Sequence, residues 1–168
     1  MLKRILLPLD GSELGEATLP TVRALIEGTD ARVVLLRVLK EPVAVYPMEP
    51  ALVGLLGESL EKDHLLAAAE TRHSAAVNQR VQAEGYLQRV ASAHFLPGAR
   101  VQVEVLTGSV SETISQVAQV MHADMIAMST HWHGDANYSP FGAVAEQVVR
   151  SSPVAVLLVP SVPRRGSH

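Results

Sequence analysis

Five short apolar runs alternate with segments of helical periodicity, and that alternation limits the folds open to this chain. The runs are residues 5–9, 32–39, 101–106, 124–128 and 154–159, rich in Val, Ile and Leu except for 124–128, which is built from Met, Ile and Ala after Asp124. Their near-continuous apolar character suits strands covered on both faces, as in a parallel sheet. Strands alternating with helices point to a right-handed, doubly wound α/β domain. It would be a five-stranded parallel open sheet with helices on both faces.

The intervening segments supply the helices. Leu14, Thr18, Val22 and Leu25 fall on one face of the first, Pro20 kinks or shortens it, and Gly28 offers a stop. Residues 40–50 contain Pro42, Pro47 and Pro50 and read as a loop or lid. From about residue 58 to 95 good helix formers dominate, with Leu65, Ala68, Val77, Val81, Leu87 and Val90 as the expected buried stripe. The Ala-rich part, 67–83, is expected to pack on the sheet, and Pro97-Gly98 closes the helix. Ser109-Val110-Ser111-Glu112 has the capping-box pattern, with Ile114, Val117, Ala118 and Met121 as the apolar face behind it. A last helix, about 141–150, would bury Val144, Val148 and Val149 before Pro153 ends it.

Composition narrows the function classes. A chain of 168 residues is most simply one domain, and a formal net charge of −3 gives no pull toward nucleic acid or an anionic membrane. No cysteine is present, which removes disulfides, thiolate catalysis and thiol-based metal sites. The apolar run after Met1-Leu2-Lys3-Arg4 ends at Asp10, too short for a signal peptide. No segment approaches the roughly 20 apolar residues that span a bilayer. A cytoplasmic location is expected, with residues 161–168 as a disordered tail.

In open parallel sheets ligands sit beyond the carboxyl ends of the strands. Asp10, the Val38-Leu39-Lys40 corner, Thr107-Gly108-Ser109 and the loop from Ser129 to Gly134 become the candidates. The stretch from Met128 to Val144 stands out, since a strand, a polar loop and a helix N-terminus in that order bind phosphates elsewhere. Trp132, His131 and His133 occupy a loop where glycines would be expected.

These residues resemble the universal stress protein family. Ile5-Leu6-Leu7-Pro8-Leu9-Asp10-Gly11-Ser12 is similar to its first strand and Asp-Gly-Ser turn, and residues 124–131 to its fourth strand. Residues 142–150 and 152–160 are similar to its last helix and strand. The similarity spans about residues 3–160, with residues 40–67 as a variable insertion and 1–160 as the single domain. The resemblance implies a Rossmann-like sheet, usually dimeric, with many members binding ATP. In the binders the phosphate loop reads Gly, two residues, Gly, nine residues, Gly, then Ser or Thr. The matching positions here are Ser129, Trp132, Gly142 and Ala143, so the spacing is kept and three residue types are not. An indole at Trp132 would close the cradle, while Gly142 and the helix behind it still offer N–H donors.

By the same resemblance Pro8, Asp10, Val38 and Met128 would hold an adenosine. Ser129, His131, Gly142, Ala143 and Val144 would meet the phosphates. The implied ligand is ATP or another adenine nucleotide, with no metal beyond Mg carried by the nucleotide. The implied partner is a second copy joined through the last strand, Val154 to Val159, whose apolar edge needs cover. Plainer readings stand beside these. Asp10 and Ser12 are suited to capping the first helix. His131, His133 and Asp135 form a metal site only if the loop bends. His64, His73 and His94 are spaced as surface residues, and Trp132 and Tyr138 are equally suited to packing. No catalytic constellation is readable. A stress-response binding or signalling module leads. A dimeric interaction protein without nucleotide, and a weak nucleotide hydrolase using His131 or His133, remain open.

Overall fold

The computed structural model describes residues 2–40, 60–131 and 141–161, of which 60–69 and 131 are described by backbone alone. The elements are β1 (Arg4–Pro8), α1 (Glu13–Glu16), α2 (Leu19–Ile26), β2 (Arg32–Leu39), α3 (Leu60–His94), β3 (Arg100–Thr107), α4 (Val110–Val120), β4 (Met125–His131), α5 (Ala143–Ser151) and β5 (Ala155–Ser161). The five strands form one all-parallel sheet in the order β3-β2-β1-β4-β5. The fold class expected from the alternating runs is therefore the one observed.

Strand alternation sends successive side chains to opposite cores. Ile5, Leu7, Val33 and Leu35 pack with Leu19 and Val22 of α2 and Leu87 and Val90 of α3. Leu6, Val34, Leu36, Ile126 and Met128 pack on the other face with Ile114 and Ala118 of α4 and Ala145 and Val148 of α5. Burying each large aliphatic side chain contributes about 1.5–3 kcal/mol, so these two layers hold the sheet rigid beneath the loops at its carboxyl edge.

Several expectations need correction. The first helix is broken into α1 and α2, with Pro20 in the first turn of α2 where its missing N–H costs nothing. The break resets the buried face, so Leu19 is buried and Leu25 is exposed. In α3, Val77 and Val81 are 48% and 61% exposed, and every residue from 70 to 82 faces solvent. The part of the Ala-rich segment described with side chains is thus not packed on the sheet before Ala83. Leu65 and Ala68 lie outside the residues described with side chains. In α5, Val144 and Val149 are exposed while Ala145 and Val148 are buried, because alanine lets the helix approach the sheet closely.

Ser109 takes the N-cap position of α4, but its side chain makes no cap hydrogen bond. Strand β4 extends to His131, past Met128 where the apolar run ends, as the resemblance over residues 124–131 implied. Ser129, Thr130 and His131 pair with Val159, Pro160 and Ser161, and the buried Ser161 hydroxyl donates to the Thr130 carbonyl at 2.6 Å. Strand β5 accordingly includes Ser161, one residue into the segment expected to be a tail. The expected loop beyond Lys40, within residues 41–59, and residues 132–140 and 162–168 lie outside the described residues.

Candidate functional site

The strand order reverses between β1 and β4, and the carboxyl ends of β1, β2 and β4 converge there. A cleft of about 470 Å³ opens at this point. Its floor is apolar, built from Leu36, Val38, Ile114 and Met128 of the α4/α5 core face. Pro8, Asp10, Val38, Met128, Ser129, Gly142, Ala143 and Val144 all line it. His131 closes β4 and pairs by backbone with Ser161; its side chain, with Trp132, His133, Asp135 and Tyr138, lies outside the described residues.

At one end stands Asp10. Its Oδ1 accepts from the Ser12 backbone N–H at 2.9 Å and from the Ser12 hydroxyl at 2.6 Å. Ser12 in turn caps α1, its Oγ accepting the Gly15 N–H at 3.0 Å. A Cβ at Gly15 would come within 2.5 Å of Asp10 Oδ1, so only glycine lets the carboxylate lie so close to α1. Capping and cleft lining are therefore both served by Asp10: the turn that satisfies the helix also orients a carboxylate at the cleft.

At the other end is the N-terminus of α5. Gly142 takes φ +81° and ψ 151°, a region that L side chains avoid, and the helix has no side-chain cap. Its first-turn N–H groups have no intrahelical acceptor and sit at the positive end of the helix dipole. Ser129, where a glycine was the alternative, lies in regular β4; among the described residues the only non-glycine with positive φ is His122. The serine side chain thus brings no backbone strain to this edge of the cleft.

Gly15, Arg37, Lys40, Val110 and Phe141 also line the cleft, and none of them was a candidate ligand contact from the sequence, although Lys40 ends the strand-edge corner named above. Arg37 left a signal: it is a lone interior charge in the apolar run of β2. Behind this edge the Tyr86 hydroxyl donates to Glu16 Oε1 at 2.9 Å. Burial and the Glu16 carboxylate raise its pKa well above the usual tyrosine value. Among the described residues no group of three His, Asp or Glu side chains is placed to hold a metal, and no helix is long and apolar enough to cross a membrane.

The sequence matches the universal stress protein family over residues 1–160. No curated protein matches it significantly. Among solved structures it is similar to hypothetical protein MJ0577, at 24% identity and a TM-score of 0.71, covering 99% of both chains. It is similar to universal stress protein UspA from Lactobacillus plantarum at 22% identity and a TM-score of 0.56, covering 94% of this chain and 97% of that one. A universal stress protein solved in complex with cAMP shares 12% identity at a TM-score of 0.59, covering 96% of this chain and 98% of the other.

Proposed function

Because the chain belongs to the universal stress protein family, we propose that it is a stress-response module whose cleft binds an adenine nucleotide. The observation that carries this reading is the shape of the cleft: an apolar floor with an oriented carboxylate at one end and an uncapped helix N-terminus at the other. A purine would lie on Val38 and Met128, with the Asp10 carboxylate accepting from a ribose hydroxyl or the base. Phosphate oxygens would accept from the first-turn N–H groups of α5 at Gly142, Ala143 and Val144 and from the Ser129 hydroxyl, which suits anions without any side-chain cation. That a universal stress protein of similar fold is solved in complex with cAMP supports an adenine ligand for this chain.

Ala143 offers no hydroxyl where the family's binders carry Ser or Thr, which removes one hydrogen bond to phosphate, on the order of 1 kcal/mol or somewhat more. The base and ribose then supply most of the affinity, and AMP binds nearly as well as ATP. The module works as a homodimer joined through β5, whose Val156, Leu157, Leu158 and Val159 are only half-buried at the sheet edge.

Isothermal titration calorimetry with AMP and ATP tests the reading. Saturable binding of one nucleotide per protomer is expected, weakened on the order of tenfold by Asp10→Asn, which weakens an acceptor in a charge-assisted hydrogen bond. Absence of heat with both nucleotides contradicts it.

A further inference from the structure

Strand β2 runs through the sheet between β1 and β3, and its row of side chains facing α2 and α3 begins with the buried pair Val33 and Leu35. The next residue in that row is Arg37, half-buried. A guanidinium at an interior strand position is costly to desolvate unless it has partners. Its hydrogen bond among the described residues is to the Leu9 carbonyl oxygen, at a long 3.4 Å. The ion pairs among the described residues are Arg80 with Glu84 and Arg150 with Glu146, neither involving Arg37.

The fold nevertheless makes room for this cation. Gly11 adopts φ +82°, and a Cβ there would come within 2.9 Å of Arg37 Nη1. Arg37 faces a second cleft, of about 500 Å³, on the side of the sheet opposite the α4/α5 core. Lys40 from the end of β2 and Gln79, Gln82 and Tyr86 from α3 complete its polar lining. Two cations and no carboxylate line this cleft among the described residues. The nearby acids are turned to other tasks, Glu16 accepting from the Tyr86 hydroxyl and Asp10 from Ser12.

We propose that this second cleft is a site for a small ligand bearing an oxyanion, a phosphate or a carboxylate, gripped by Arg37 and Lys40. The planar guanidinium fork matches two oxygens of either group, and Lys40 adds a point charge at the rim. The amides of Gln79 and Gln82 donate to the remaining oxygens or to the ligand's hydroxyls. Arg37 and Lys40 also border the nucleotide cleft, so what separates this inference from the nucleotide reading is Gln79, Gln82 and Tyr86, which line the second cleft alone.

The test is a titration of the full chain with inorganic phosphate, and separately with succinate, at constant ionic strength set by chloride. The Arg37 Nε–H and the Gln79 and Gln82 side-chain amide signals are followed by NMR. A saturable shift of these signals is expected, lost in Arg37→Gln and moved to several-fold higher concentration in Lys40→Gln. Saturation by phosphate alone, by succinate alone, or by both identifies the oxyanion recognised. Because Lys40 is exposed, Lys40→Gln keeps the test valid should Arg37→Gln fail to fold. Shifts that rise linearly with both anions, saturation that survives Arg37→Gln, or an unchanged midpoint in Lys40→Gln overturns the proposal.

Discussion

At the amino edge of the sheet the Asp124 carboxylate accepts from the backbone N–H groups of both Lys3 and Arg4 at 2.7 Å, while at the carboxyl edge the Asp10 carboxylate faces a cleft. The amino edge is closed on itself. The Arg4 guanidinium donates to the Met121 carbonyl, the Arg32 N–H to the Lys3 carbonyl and the Asp124 N–H to the Arg4 carbonyl. The carboxyl edge instead leaves an uncapped helix N-terminus, a half-buried Arg37 and an exposed Lys40 beside open volume. Similar chemistry thus ties down one edge and, on the proposed reading, serves recognition at the other. That division is what rigid α/β sheets allow, because the central strands β1, β2 and β4 are buried over their middle residues.

Substitutions separate the two edges. The largest effect is expected from Val38→Trp, which fills the carboxyl-edge cleft: nucleotide binding falls below calorimetric detection while the melting temperature hardly moves. Gly142→Ala comes next. No neighbour lies within 4 Å of the added Cβ, so the cost is purely one of backbone conformation, about 1–3 kcal/mol by chemical denaturation. Nucleotide affinity falls with it, because the strained turn carries the first N–H donors of α5.

Asp124→Asn acts on the amino edge alone. The two backbone N–H groups hold the Asp124 carboxyl below its ordinary value of 3.8. A lowered folded pKa contributes stability that is present above the unfolded value and is lost as pH falls through the folded one. Asp124→Asn should therefore lower the melting temperature at pH 7, with the gap to the wild type narrowing under acid, and leave nucleotide affinity unchanged. The smallest effect is expected from Ser161→Ala, which removes the bond to the Thr130 carbonyl: about 1 kcal/mol in denaturation, with the ligand unaffected. A large loss of affinity in Ser161→Ala would mean that the cleft extends past β1 and β4.

The sheet was legible because its signal is local: each apolar run carries its own period and its own flanking turn residues. Gly28 at φ +70° follows the end of α2, and Gly98 at φ +94° lies in the turn after α3, near where the sequence placed the stops. The misreadings share a different origin. From the apolar run alone, without the family resemblance, Ser129 and Thr130 read as loop, because their pairing partners, Val159 and Pro160, lie about thirty residues away and polarity cannot reveal them. Val77 and Val81 read as core because a helical stripe does not tell how far the sheet reaches. A helix of 35 residues is about 52 Å long, against about 27 Å for an eight-residue strand, so much of α3 extends beyond the sheet. Eight of the nine ligand-contact candidates that the family resemblance implied line one cleft, while the runs by themselves point only to the strand ends among them. Arg37 and the Tyr86–Glu16 bond were not foreseen, because their meaning depends on which helix covers which face.

On the proposed reading the carboxyl edge takes an adenine nucleotide and the amino edge takes none. An amide NMR titration with AMP reads both edges in one experiment. Saturable shifts are predicted for Asp10, Val38, Ser129 and the Gly142–Val144 turn, with Arg4, Arg32 and Asp124 unmoved. Absence of shifts at saturating AMP, or shifts confined to the Arg4–Asp124 edge, would contradict the account.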